Sequence, residues 1–331
     1  MENPKNNLGN DIQSTTPKTT VALTKVGITG VERVLKLKSS QDGKGTQFFA
    51  TMDLFVHLDA TKAGVHMSRF IQNMEDISVQ MSAESSPTIE NLAQEMALAI
   101  AQTQGAARAE VRIKAQFPTK RHAPVSNIAV ESLYKFIGHA VSDGHTTKRA
   151  IGIEAKGLTA CPCSREMTGE YSKELLKAKG YTEAQAKEIT DLLPLAAHNQ
   201  RGIGTLIVGT EQHISAETLV RIVEKSMSSE IYPLLKRPDE LHIVTKAHTN
   251  PMFVEDVVRK IIQNVMIDLP NLDDDTFIKA TQENLESIHS HSAYAERCGI
   301  LGKMRAETKG ENVTQYPEIL SLSSWLDSQL K

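Results

Sequence analysis

Only three of the 331 residues are cysteine, Cys161, Cys163 and Cys298, an odd set that makes no disulfide framework. Cys161 and Cys163 are poorly placed to bridge each other. They read as free thiols kept for metal binding or catalysis in a reducing cytoplasm. With no second cysteine pair, a closed four-thiolate zinc site is excluded. No apolar run approaches the roughly 18 to 20 residues of a membrane span. The formal net charge of −3 lies too near neutrality for a nucleic-acid or membrane-surface protein. No GxxxxGK[ST] loop appears, so nucleotide phosphates would be held by side chains rather than by a P-loop. Residues 1–20 are polar and lack the apolar stretch of a signal peptide. They read as a disordered tail.

The periodicities that are present describe an α+β protein. Residues 21–37 and 46–58 alternate as strands, with Phe48, Ala50, Met52, Leu54 and Val56 on one face. Residues 67–81 and 89–101 read as helices. Ser86 is the expected cap of the second and Pro87 lies in its first turn. Ile89, Leu92, Ala93, Met96 and Ile100 form its buried stripe, and Gly105 ends it. Strands follow at 109–117 and 133–141. The order then repeats, with strands at 150–160 and 202–209 and a helix capped by Ser215 whose stripe runs through Leu219, Ile222, Val223, Met227 and Ile231. A helix opened by Asn250-Pro251 and a strand at 276–282 complete the block. Strands in adjacent pairs around helix pairs predict antiparallel sheets with helices on one face. The expected division is residues 21–145 and 146–331. A helical hairpin at 171–193 interrupts the second half, with Gly180 closing its first helix, Thr182 and Gln185 as a capping box, and Pro194 as its stop. It is either a lid or a surface insertion.

Thr159-Ala-Cys-Pro-Cys-Ser164 is the sharpest chemical signal. On an extended chain, alternate side chains share a side, which points Cys161 and Cys163 at one site. His198-Asn-Gln-Arg-Gly202 offers an imidazole, the commonest metal ligand, and a guanidinium suited to phosphate. Arg237-Pro-Asp-Glu240 reads by itself as a solvated turn after a helix, and Glu255 as an acidic first-turn residue favoured by the helix dipole. His289 and His291 alternate onto one face. His66 and Arg69 lead into the first helix, where an anion is welcome, and Lys120 and Arg121 add positive charge at a strand end.

Taken together and in this order, Gly64-Val-His-Met-Ser-Arg69, Cys161-Pro-Cys-Ser, His198-Asn-Gln-Arg-Gly, Arg237-Pro-Asp-Glu240, Phe253-Val-Glu-Asp-Val-Val-Arg259 and Glu286-Ser-Ile-His-Ser-His291 resemble GTP cyclohydrolase IB over about residues 26–297. The helical insert and the Gly202-Ile-Gly-Thr-Leu run are similar to the archaeal, methanopterin-pathway branch. The resemblance implies a tunnelling fold (T-fold) of tandem ββααββ domains, assembled as a homodimer or homotetramer, with GTP as substrate and no nucleic-acid or membrane partner. It implies one divalent metal, iron(II) favoured and manganese(II) or zinc(II) accepted, on Cys161, His198 and Glu240. Glu255 is then the guanine anchor and a proton carrier. Cys163, which could exchange roles with Cys161, is a proton carrier beside the metal, and His289 and His291 are further proton carriers. His289, His66, Arg69 and Arg201 contact substrate, with Lys120 and Arg121 as further phosphate candidates. The implied reaction is hydrolysis at guanine C8 with loss of formate. The implied product is 7,8-dihydroneopterin 2′,3′-cyclic phosphate, or the triphosphate in the folate-type alternative. A cysteine-nucleophile nitrile reductase and a non-catalytic purine or pterin binder are the competing readings.

Overall fold

The computed structural model describes residues 11–38, 45–82, 88–311 and 316–330. The chain divides into two compact units, Met1–Ala115 with Gly138–Arg149 and Leu326–Lys331, and Gln116–Ile137 with Ala150–Trp325. The boundaries are interleaved, unlike a single cut near residue 145. Strands β3 (Ala109–His122) and β4 (Ala129–Ser142) each contribute residues to both units.

In the first unit, β1 (Leu23–Lys38) pairs antiparallel with β2 (Gly45–Leu58). The alternation of β2 is realised as expected, with Phe48, Ala50, Met52, Leu54 and Val56 all buried. Helices α1 (Met67–Ser82) and α2 (Ile89–Gln104) pack on these strands. The α2 stripe of Ile89, Leu92, Ala93, Met96 and Ile100 is buried. Thr88 caps this helix by accepting from the Asn91 N–H at 3.4 Å, and Gly105 closes it at φ 56°. The expected cap Ser86, with Pro87, lies outside the described residues. The expected tail is placed from residue 11 onward. The Thr15 and Gln13 carbonyls accept from Ala63 and Gly64 N–H, and Asp11 faces His66 at 3.3 Å. Those contacts give the polar segment partners that its composition does not reveal.

The second unit orders its strands β5 (Thr147–Ala160), β6 (Asn199–Gly209), β8 (Phe277–Asn284) and β9 (Ala293–Ile300), all antiparallel. A two-residue β7 (Ser229–Glu230) pairs with β5. Helices α5 (Ala216–Lys225) and α7 (Val254–Asp268) bury Leu219, Ile222, Val223, Val257, Ile261 and Val265. Helix α5 stops at Lys225, short of Met227 and Ile231. The Ser226 hydroxyl donates to the Ile222 carbonyl at 2.7 Å and accepts from Asn264, which turns the chain into β7. After β9 come α8 (Leu301–Thr308) and α9 (Leu322–Ser328).

Three elements differ from the sequence reading. The hairpin begins nine residues early, because α3 (Pro162–Ala178) starts at Pro162, whose ring suits the first helical position. Its second helix, α4 (Glu183–Leu192), has the expected Thr182–Gln185 capping box, and Gly180 closes α3 at φ 93°. Arg237-Pro-Asp-Glu240 opens a helix, α6 (Arg237–Thr249), instead of following one. Buried Asp239 accepts from the Val125 and Ser126 N–H groups, the Ser126 hydroxyl and the Lys236 N–H. Asn250-Pro251 separates α6 from α7, which Phe253 precedes.

A buried ion cluster braces the first unit. Fully buried Glu110 meets Lys25 at 2.8 Å, Arg108 at 2.9 Å, Arg112 at 2.5 Å and buried His139 at 3.1 Å. Burial alone would raise the Glu110 pKa, but hydrogen bonds from His139, Lys25 and Arg108 outweigh it and hold the carboxyl well below the usual carboxylate range. A depressed carboxyl pKa adds stability above the unfolded-state value of about 4.3, and that stability fades as pH falls towards the folded value. Glu110→Gln is therefore expected to lose about 3 to 5 kcal/mol at neutral pH. In urea melts the gap to wild type should narrow below about pH 4. A gap unchanged down to acid pH would show that the cluster does not titrate as described.

Candidate active site

Strands β5 and β6 pair with Thr159 opposite Gln200 and Ala160 opposite Asn199. One rung further, the Cys161 N–H donates to the His198 carbonyl at 3.0 Å. Cys161 keeps an extended backbone, φ −75° and ψ 121°, so it shares a face with Thr159, as His198 shares one with Gln200. Opposed residues in such a ladder place their Cβ atoms about 4.5 to 5.5 Å apart. The thiol and the imidazole thus leave neighbouring strand ends on the same side.

The imidazole is oriented from behind. His198 Nδ1 lies 3.1 Å from the Gln200 Oε1 and 3.6 Å from the Glu286 Oε2, and the His198 and Glu286 side chains are mostly shielded, 13% and 11% exposed. The Gln200 amide nitrogen donates to the Thr159 hydroxyl at 3.1 Å and to Glu286 at 3.4 Å, which leaves its oxygen for the ring. The Gln200 oxygen can only accept, so Nδ1 is the ring's donor, and in the neutral ring Nε2 then carries the lone pair, the arrangement of a metal-binding or proton-accepting histidine. Glu286 lies just past β8, where the Leu285 N–H donates to the Arg201 carbonyl. The glycine of His-Asn-Gln-Arg-Gly202 follows from close approach, since a Cβ there would collide with the Gln282 amide.

The two exposed histidines join from the same loop. The His289 ring stands edge-on to His198 at 6.2 Å and stacks on His291 at 5.2 Å. Glu255 is exposed in the first turn of α7. The start of that segment is stitched to the site, because the Met252 N–H donates to the Ala160 carbonyl, one residue before Cys161.

Other expected members are placed differently. Cys163 sits in the first turn of α3, because the chain becomes helical at Pro162. The extended-chain alternation therefore stops at Cys161. Glu240 is exposed on α6, and among the described residues no three His, Cys, Asp or Glu side chains form a group that could hold a metal ion. The expected trio of Cys161, His198 and Glu240 is not gathered within one copy of the chain. Cys161 and His198 are donor types that suit a divalent metal, one short of the three protein ligands that a catalytic site keeps. Arg201 alternates with Gln200 and leaves β6 on the opposite face from His198. Arg121 is already committed. Its guanidinium donates to Tyr134 at 2.7 Å and Glu224 at 2.6 Å and lies 4.5 Å over the Tyr232 ring. It neutralises a buried carboxylate rather than waiting for phosphate. Lys120 is exposed on β3. His66 and Arg69 belong to the first unit, where they line a cavity of about 590 Å³ with His57 and Lys62, and Arg69 donates to the Thr103 carbonyl.

The family model for type I GTP cyclohydrolase folE2 matches residues 10–295. This chain belongs to the type I GTP cyclohydrolase family. Among curated relatives of this GTP cyclohydrolase family member, the GTP cyclohydrolase MptA of Methanococcus aeolicus is 35% identical over 307 residues, 90% of this chain and 99% of the relative. The GTP cyclohydrolase MptA of Methanococcoides burtonii is 36% identical over 307 residues, 90% of this chain and 96% of the relative. Among solved structures, the uricase of Arthrobacter globiformis is similar at a TM-score of 0.49 and 10% identity, covering 85% of this chain and 95% of the uricase. That likeness is too slight to carry an argument. Among the described residues, no helix is long and apolar enough to cross a membrane.

Of the residues singled out from the sequence, Cys161, His198 and His289 lie together, whereas Gln200 and Glu286, inside two of the same motifs, had been given no role. A Gln two residues from a strand-end His, on the same face, was the available signal.

Cys163 is exposed, whereas Cys161 and Cys298 are half-buried. Limited alkylation of the native protein followed by peptide mass analysis should modify Cys163 first. Faster labelling of Cys161 would contradict the placement of the turn.

Proposed function

We propose that this chain hydrolyses GTP at guanine C8, releases formate and forms 7,8-dihydroneopterin 2′,3′-cyclic phosphate in a methanopterin-type pathway. The observation that carries the reading is the His198 ring, held at Nδ1 by Gln200 and facing Glu286, on the chain end that is hydrogen-bonded to Cys161. Family membership and the relatives named GTP cyclohydrolase MptA support the substrate. The α3–α4 hairpin between the Cys-Pro-Cys turn and His198 supports the cyclic phosphate product.

In this reading Cys161 and His198 would hold one divalent ion, iron(II) or alternatively manganese(II) or zinc(II), which would supply a water acidified towards about pKa 7. The remaining work belongs to side chains. Glu255 accepts hydrogen bonds from guanine N1–H and the 2-amino group. Cys163, His289 and His291 move protons at the ring nitrogens as the imidazole opens and formate leaves. The strand–strand–helix–helix–strand–strand order of β1 to β4 supports a T-fold with a tandem second copy of the same plan, assembled as a homodimer or homotetramer. Its three free thiols suit the cytoplasm.

Anaerobically purified protein incubated with GTP and each of the three metals should release formate as GTP is consumed, with a pterin of cyclic-monophosphate mass and pyrophosphate. GTP left unchanged with every metal would overturn the activity. A triphosphate pterin would overturn the product alone.

Two hydrogen bonds to a charged group are worth about 1.5 to 3 kcal/mol each. Glu255→Gln, on an exposed helix turn, should therefore fold normally and lose roughly a hundredfold or more in kcat/KM for GTP. The wild-type preference for GTP over ITP, which lacks the 2-amino group, should shrink with it. A variant that kept both rate and preference would remove Glu255 from the guanine site.

A further inference from the structure

His248, which the mechanism does not use, stands on the last turn of α6. Its Nδ1 faces the Leu195 carbonyl at 3.2 Å, and its Nε2 lies 3.3 Å from the Asn199 amide nitrogen. A carbonyl can only accept and an amide nitrogen can only donate, so one ring donates at Nδ1 and accepts at Nε2. The two contacts fall on the two ends of one short segment, residues 195–199, and His198 sits inside it.

The rest of that segment is held by other elements. The Thr168 hydroxyl of α3 donates to the Ala196 carbonyl at 2.5 Å. The Ser164 hydroxyl accepts from the His198 N–H at 3.1 Å, and the Cys161 N–H donates to the His198 carbonyl. Helix α3 and its N-cap Cys161 therefore grip the middle, while α6 grips the ends through one imidazole. Of the side chains that hold this segment, His248 is the one supplied by α6. The segment has no helix or strand of its own before Asn199, so its path is set by these side-chain bonds. Loss of the bond at either end removes the hold of α6 on the segment and leaves His198 fixed only at its middle, by Ser164 and Cys161.

We propose that His248 is a positioning residue for catalysis: by bridging Leu195 and Asn199 it fixes the segment that carries His198, and so the reach of the His198 ring. The inference rests on the reading that His198 belongs to the active site. It requires that loss of the bridge act on turnover rather than on GTP binding. Loss of a group behind an active-site histidine commonly costs about 10- to 100-fold.

Full-length His248→Ala, His248→Asn, Asn199→Ala, the His248→Ala/Asn199→Ala double variant and His198→Ala are compared by kcat and KM for GTP per folded protein. His248→Ala should lose roughly 10- to 100-fold in kcat with KM within about twofold. His248→Asn places an amide N–H near the lost Nδ1–H and should recover part of the rate. Asn199→Ala, at an exposed strand end, should lower kcat several-fold, and the double variant should fall less than the product of the two single losses. If His248→Ala does not fold, Asn199→Ala and His248→Asn decide the matter. Wild-type kcat in Asn199→Ala together with a His248→Asn no slower than wild type, or purely multiplicative losses, would overturn the proposal. A His198→Ala variant with wild-type turnover would instead overturn the site reading beneath it.

Discussion

The last rung between β5 and β6, from the Cys161 N–H to the His198 carbonyl, is the contact on which the site depends. It sets a thiol and an imidazole on neighbouring strand ends although 36 residues and a helical hairpin separate them in sequence. The register above it, Thr159 against Gln200, supplies the next layer. Because side chains alternate along a strand, the residues two positions inward stand directly behind the two at the edge. Gln200 is thereby in place to hold Nδ1 and to be held in turn by Thr159 and Glu286. An orientation of this kind costs nothing at the moment of reaction, since the dipoles are set when the sheet forms.

Local rules accounted for much of the fold. The buried stripe of α2, the alternation of β2, the αL glycine after α3 and the Thr182–Gln185 capping box all follow from neighbours within a few residues. Helix α6 was not legible in this way. Its inward residues are few, Asp239, Ile243 and Ala247, so no apolar period announces it. The bond that anchors its start joins Asp239 to Val125 and Ser126, more than a hundred positions away. Proline was misread twice for one reason. Pro162 and Pro238 both stand inside the first turn of a helix, where proline is tolerated as readily as in a turn.

The site was legible in its residue types more than in its geometry. Cysteine, histidine and glutamate at the named positions carried the family resemblance, and Cys161, His198, His289 and His291 do meet or neighbour one another. Glu240 and Arg201 show the limit. A motif records that a residue matters in a family, but not which face of a strand or which turn of a helix presents it. Arg121 shows a second limit, because a cation near a strand end is as readily consumed by a buried carboxylate such as Glu224 as left for a ligand.

The central claim is that the backbone and its neighbours preset one form of the His198 ring. Long-range proton–nitrogen NMR of histidine-labelled protein, with the His198 signal assigned by its loss in His198→Gln, reads that form directly at about pH 8, above the ordinary imidazole range. The account predicts a ring protonated at Nδ1 with a bare Nε2. A ring protonated at Nε2, or an even mixture of the two tautomers, would contradict it.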